Sequence, residues 1–262
     1  MAPKAKRINI MPEWMKEGII WACNRVNYTI DRDNMNDRQI SEKVDDLIMG
    51  DIGGIVVLHY LQNAGIAAMA YDQVRNDGFK NADPGWDIVI GEKLTDWFSA
   101  QEDKRKIPNR SLTLSIKTSR IPETFVTKNK PEEEKVQSCI MNFDFKIFRK
   151  HKDIEDDITT DYEVQIYYPL SSSYTSDLIV DQKEVETLNA DSIMEKLKIF
   201  ERYGYCYLAS IGSRSNLIGF NKGQPENKRT WDSFHAGSSK PMWRAPLWLG
   251  TSIESFIEKH KK

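Results

Sequence analysis

The sequence predicts an α/β fold, and three observations carry that prediction. Val44, Leu47, Ile48, Ile52, Ile55 and Leu58 recur at helical spacing across residues 41–62. Short apolar runs of strand length follow at 66–71, 86–90 and 111–118. Further strand-like runs, at 162–168 and 205–211, bracket a helical stretch at 181–203. Helices and strands thus alternate along the chain.

In chain order, residues 12–25 (PEWMKEGIIWACNR) read as a first helix, with Pro12 near its start, where a missing backbone N–H does no harm. Residues 31–38 are polar and turn-like. Ser41 can cap the second helix, and Asn63-Ala64-Gly65 stops it. The strands at 66–71, 86–90 and 111–118 are separated by polar stretches, one holding a short helix around Asp96. Residues 131–139 begin a helix with Pro131 first and Glu132, Glu133 and Glu134 in its first turn, where the helix dipole favours acids. Residues 140–148 alternate like a strand. The 162–168 strand, the 181–203 helix and strands at 205–211 and 217–220 lead to a Gly-, Lys- and Asn-rich loop at 221–240. A helix at 251–261 closes the chain. With no internal repeat, low-complexity tract or linker, residues 1–262 read as one domain.

Composition excludes several classes. The chain has 262 residues, 40% hydrophobic and 29% charged, which fits a globular protein and not a disordered or fibrous one. No apolar run is long enough to span a membrane, and the basic N-terminus has no apolar run behind it, so a cytoplasmic protein without a signal peptide is expected. Cys23, Cys139 and Cys206 are scattered, which suits buried thiols in a reducing compartment. The formal net charge is −2, so no global nucleic-acid signature exists. The charge is uneven, however. Residues 153–163 are acidic, while Arg214, Lys222, Lys228, Arg229, Lys240 and Arg244 face only Glu226 and Asp232 in their stretch. His59 reads as a satisfied interior residue and His151 as solvated. Trp231, Trp243 and Trp248 read as packing residues.

The chemistry-bearing pattern lies in SLTLSIKTSR. Leu112, Leu114 and Ile116 face the core, and Ser111, Thr113, Ser115 and Lys117 face the other way. If the 86–90 strand pairs beside it, Asp87 reaches the same surface as Lys117. An Asp there can hold a divalent cation. A Lys there can orient or deprotonate a water and offset phosphate charge. The place two before Lys117, where a second acid is expected, is Ser115.

The order helix, strand, Asp-bearing strand, Lys-bearing strand resembles the PD-(D/E)XK nuclease superfamily. Four segments carry the likeness. MGDIGGIVVLHYLQNAG is similar to the family's first core helix through Gly50, Gly53, Tyr60 and Leu61. DPGWDIVIG is similar to its Asp-bearing strand through Asp87. SLTLSIKTSRIP is similar to its (D/E)XK strand through Lys117. YCYLASIGSRSNLIGF and MWRAPLWLGTSIESFI look like the late strands and closing helix of type II restriction enzymes. Gly54 stands where many members carry a helix Glu, and Asp83-Pro84 inverts the name-giving Pro-Asp.

The resemblance implies a restriction-endonuclease-like core, a mixed central sheet flanked by helices. It implies a type II restriction endonuclease that hydrolyses one phosphodiester per strand of a short specific double-stranded DNA sequence with Mg²⁺. A homodimer and a cognate DNA methyltransferase protecting host DNA are implied partners. Some type II enzymes have Ser-x-Lys on this strand and take the acid from the following helix. That places Glu132, Glu133 or Glu134 in the metal site with Asp87, and Glu133 and Ser115 with Asp87 and Lys117 among the catalytic residues. Asp51, Asp46 and, as an auxiliary ligand, Asp83 are other donors. Residues 212–248 form the expected DNA-recognition region. Arg120, Arg214, Asn216, Lys222, Lys228, Arg229, His235 and Arg244 are its expected contacts, being side chains that hold phosphates or read base edges. Two alternatives remain: a structure-directed repair or phage-defence nuclease, and a catalytically inactive DNA-binding module of the same fold.

Overall fold

The computed structural model describes residues 2–29, 38–81, 83–125, 129–235 and 238–261, with the side chains of 234–239 outside the description. The expected 31–38 turn therefore lies outside the described residues except for Arg38. The strands are β1 (Lys6–Asn9), β2 (Ala68–Ala70), β3 (Ile88–Ile90), β4 (Leu112–Arg120), β5 (Tyr162–Tyr168), β6 (Tyr205–Ser213), β7 (Thr230–His235) and β8 (Ser238–Trp243). The helices are α1 (Pro12–Val26), α2 (Ile40–Asn63), α3 (Tyr71–Val74), α4 (Leu94–Ala100), α5 (Glu132–Asn142), α6 (Ile154–Asp157), α7 (Gln182–Glu186), α8 (Ala190–Lys196), α9 (Ile199–Tyr203), α10 (Arg214–Lys222) and α11 (Ile253–His260).

Six strands form one mixed sheet in the order β1-β6-β5-β4-β3-β2. Every neighbouring pair is antiparallel except β4 and β5, which run parallel. Helices cover both faces, so the chain is α/β as expected. On one face, α1 and α2 bury Ile19, Ile48, Ile52 and Val56 against Leu114, Val164, Ile166, Tyr168 and Leu208. On the other, α5 and α10 bury Val136, Ile140 and Leu217 against Tyr167, Tyr207 and Ala209. A strand covered on both faces is apolar throughout, and all seven residues of β5 are buried. Helix α2 lies flush on the sheet because Gly53 has no side chain. A Cβ there would stand 2.5 Å from Thr118 Cγ2.

Five sequence readings are corrected. The 181–203 stretch is three short helices. Asp181 and Asn189 each accept a backbone N–H, from Glu184 at 2.9 Å and Ser192 at 3.3 Å, which starts new helices. Leu188 and Lys198 adopt left-handed φ of 52° and 49° and end the preceding ones. Residues 217–220 are helical, because Ser213 Oγ caps α10 through the Asn216 N–H and buries Leu217, Ile218 and Asn221 at helical spacing. The expected 221–240 loop contains the β7–β8 hairpin. The 140–148 alternation yields isolated bridges at Asp144 and Phe148, not a strand. Trp248 is exposed. The three cysteines are buried and free, and burial pushes each thiol up to about 12. Among the described residues no helix is long and apolar enough to cross a membrane.

One buried charge ties α2 to the end of β4 and to α9. Asp45 is fully buried and accepts two bonds from Arg202, Nη1 and Nη2, each at 2.8 Å. Tyr203 Oη donates to it at 3.1 Å and Arg120 Nη2 at 3.2 Å. Both arginines also donate to the Ser172 carbonyl. Removing one partner leaves a buried charge uncompensated. Arg202→Met is therefore expected to lower unfolding free energy by about 3–5 kcal/mol in urea denaturation. A loss under ~1 kcal/mol would show that Arg120 alone compensates Asp45.

Candidate active site

The polar face of β4 and the neighbouring face of β5 form the site. The parallel register sets Ser115 opposite Glu163 and Lys117 opposite Gln165. A clamp at the strand starts sets that register. Asp161 Oδ2 accepts from the Thr113 N–H at 2.8 Å and the Thr113 hydroxyl at 3.0 Å, and the Asp161 N–H donates back to Thr113 Oγ1 at 3.1 Å.

Lys117 is half-buried. Its Nζ donates to Ser115 Oγ at 2.6 Å and stands 3.7 Å from Glu163 Oε2. The latter is an ion pair, too long for a hydrogen bond. Glu163 is 3% exposed. Its Oε1 accepts from the Thr160 hydroxyl at 3.0 Å, while its Oε2 is buried without a hydrogen-bond donor. Burial holds the Glu163 carboxyl above the usual carboxylate range, against the pull of Lys117 and Thr160 and with an added push from Asp87.

Asp87 comes in from the other side of Lys117. It precedes β3, yet its backbone continues the ladder, with its N–H donating to the Leu114 carbonyl and its carbonyl accepting from the Tyr71 N–H, both at 2.9 Å. Its Oδ2 accepts the Ile116 N–H at 2.5 Å. Burial raises this carboxyl as well, and the Lys117 charge and the Ile116 N–H oppose the rise. The site is thus a lysine flanked by two carboxylates held in place by backbone and hydroxyl donors. Among the described residues no three His, Cys, Asp or Glu side chains sit close enough to hold a metal ion by themselves.

The structure brings Asp87, Ser115 and Lys117 together and adds Glu163. It sets Glu132 and Glu133 elsewhere, where they accept from Tyr207 Oη at 2.8 and 3.4 Å. Tyr207 pairs with Tyr167, four residues and about 13 Å along β5 from Glu163. Glu134 is exposed on the same helical turn. Asp46 pairs with Arg38 on the α2 face. Asp83 is exposed and bridges to Arg75 at 2.8 Å. The signal for Glu163 lay in EVQIYY: two polar residues, Glu163 and Gln165, on alternate positions of an otherwise apolar strand.

The expected DNA contacts are mostly engaged within the protein. Arg120 lies in the Asp45 network on the opposite sheet face. Arg214 donates to the Ile158 and Glu155 carbonyls, and Arg244 pairs with Asp144 at 2.8 Å. Arg229 donates to the Gln224 and Lys222 carbonyls, and Lys222 pairs with Glu155 at 2.7 Å. Asn216 and Lys228 are exposed. The side chain of His235 is outside the described residues.

Behind Asp87 lies a second carboxylate layer. Asp51 on α2 is 6% exposed and pairs with Arg25 at 3.2 Å, and Arg25 also bonds Asp72. Burial pushes the Asp51 carboxyl up to about 8, with Arg25 opposing and Asp72, Asp83 and Asp87 adding to the rise. A carboxyl raised by folding contributes stability below its unfolded value, and that contribution is lost as pH climbs to the folded value. Stability should therefore fall from about pH 4 to about pH 8. Asp51→Asn should flatten that fall, read as urea midpoint against pH. Asp72 and Asp87 shift the same way, so a part of the slope stays. An unchanged slope would mean Asp51 is ionised across the range.

A scan against protein-family models, a search of curated proteins and a search of solved structures each found no match to this chain.

Proposed function

We propose that this chain is a Mg²⁺-dependent endodeoxyribonuclease with a restriction-endonuclease-like core, acting as a type II restriction endonuclease on a short specific duplex sequence. The observation that carries the reading is Glu163. It supplies, from the strand beside β4, the acid that Ser115 does not. The run α2–β2–β3–β4 follows the order helix, strand, Asp-bearing strand, Lys-bearing strand, which supports the PD-(D/E)XK likeness.

The residues fit a hard divalent cation. Glu163 Oε2 is a buried carboxylate oxygen without a donor, and Asp87 flanks the same lysine. Mg²⁺ is bound through one or two carboxylates and keeps several waters, so two protein acids suffice. When bound, the ion would polarise a phosphoryl oxygen and acidify a coordinated water. Asp87 and Glu163 would hold it. The Ile116 N–H and the Thr160 hydroxyl each use one carboxylate oxygen, which leaves the other for the ion. Lys117, fixed by Ser115, sets a positive charge where the scissile phosphate must lie and orients the attacking water. A homodimer would present one such site to each strand, and a cognate methyltransferase would protect the host sequence.

Plasmid DNA incubated with the protein and Mg²⁺ should give discrete fragments. Asp87→Asn, Lys117→Ala and Glu163→Gln should each slow cutting about 100-fold or more. Ser115→Ala should act more mildly, by releasing the lysine. Glu132, Glu133 and Glu134 changed together to Gln should leave the rate near that of the wild type. Cutting by Glu163→Gln at the wild-type rate would remove Glu163 from the site. Smears without sequence preference would indicate a structure-directed nuclease. Bound, uncut DNA would indicate an inactive DNA-binding module.

A further inference from the structure

A cavity of about 170 Å³ opens between residues 149–153, α6, α10 and the β7–β8 hairpin. Its wall carries Arg149, Lys152, Lys222 and Arg229 against Asp153 and Glu226. Lys222 is answered by Glu155. Among the described residues Arg149, Lys152 and Arg229 form no ion pair. Arg229 is steered by two carbonyls, at 3.0 and 2.9 Å, which fix its direction and leave its charge uncompensated. Arg149 lies over the Trp243 ring, 5.2 Å from its centroid. That ring is pinned through its Nε1 to Asp157 Oδ2 at 2.7 Å. The Asp157 carboxylate is in turn taken up by the Lys150 and His151 N–H groups and the His151 ring.

The walls are rigid where it matters. Asn221 is 1% exposed and donates to the Arg229 and Arg244 carbonyls at 2.8 and 2.9 Å, so α10 and the hairpin are tied together at the cavity floor. Arg149 Nε donates to the His151 carbonyl at 3.4 Å, which leaves its two Nη groups for an acceptor. Several cations around a space of this size, with one of them so presented, suit a phosphate.

The cavity also has a defined relation to the Lys117 site. Lys146 donates its N–H to Gln165 Oε1 at 3.3 Å, and Gln165 is paired with Lys117. Arg149 follows three residues later, with its N–H on the Pro241 carbonyl at 3.0 Å.

The geometry points to a phosphate-binding site in this cavity, separate from the Lys117 centre, that takes a backbone phosphate of the bound DNA away from the scissile bond. The assignment to DNA rests on the nuclease reading above. The phosphate chemistry does not, since a free nucleotide carries the same group.

The test uses the full chain, wild type and the exposed-residue variants Lys152→Gln and Arg149→Gln, singly and together. Inorganic phosphate, a mononucleotide and a short duplex are titrated by calorimetry or anisotropy, the duplex over a range of salt. The double variant should bind the duplex with a salt slope smaller by about one phosphate contact. It should also lose phosphate binding about tenfold or more, with its circular dichroism unchanged. Unchanged phosphate binding and an unchanged salt slope would overturn the site, whatever the cutting activity. A wild type that binds a mononucleotide through these cations but neither binds nor cuts duplex would keep the phosphate site and sink the nuclease reading.

Discussion

The parallel pairing of β4 with β5 is the constraint on which the rest of the site depends. Side chains alternate across a sheet, so a slip of one residue would turn Glu163 and Gln165 into the α2 core and bring Val164 and Ile166 to face Lys117. The Thr113–Asp161 clamp opposes that slip with three short-range bonds at the strand entrance. The apolar partners reinforce it. Val164, Ile166 and Tyr168 are buried under α2, and Tyr167 is buried under α5. Burial on both faces gives β5 one register in which every large apolar group is covered and the two polar groups meet β4.

That same burial sets the electrostatic character of the site. Asp87 and Glu163 are taken largely out of water on either side of one lysine, and both carboxyls rise as a result. Lys117 opposes the rise of both acids, and Arg25 adds to that opposition at Asp87. A surface site would relax by hydrating the carboxylates; here the fixed donors from Ile116 and Thr160 satisfy one oxygen of each. Clustered acids with raised pKa are costly to stability, and such costs are met at functional sites more often than in purely structural ion pairs. The contrast with Asp45 is informative. There two arginines and a tyrosine donate to the carboxylate, and both of its oxygens have donors. The Glu163 carboxylate differs, because its Oε2 lacks a donor.

Much of the fold was legible from local pattern. The 41–62 periodicity and the 162–168 alternation became α2 and β5 with ends shifted by no more than a residue, because both are long and strongly patterned. The alternation in SLTLSIKTSR correctly put Ser115 and Lys117 on one face. The same parity places Arg120, three residues on, on the opposite face, so its absence from the site was readable in principle. Glu163 was not readable by spacing, since it lies 46 residues beyond Lys117 and reaches it only through strand pairing. Linear distance favoured the glutamates at the start of α5, which Tyr207 engages instead. In the cationic 214–244 stretch the partners of each arginine were hidden for a related reason. Whether an arginine is free or bound to carbonyls depends on turns such as 226–228 and on the hairpin, which composition does not encode.

The β4–β5 face divides into apolar parts and a polar part between them. Toward the ends of β4 and β5, α5 and the 121–125 segment seal the face with Ile121, Phe125, Val136 and Tyr167. Toward the strand starts, α10 is anchored by the Arg214 N–H to the Asp161 carbonyl at 2.8 Å and seals the β6 side with Leu217. Between them lie the polar residues Ser115, Lys117 and Glu163, of which Ser115 and Glu163 are buried and Lys117 keeps 30% of its side chain in contact with solvent. Filling that interval with apolar side chains would stabilise the domain, since burial of apolar surface is the main favourable term in folding. A lysine between two buried acids is a costly arrangement for a core, and strongly shifted groups of this kind cluster at functional sites, which is the physical argument behind the proposed site.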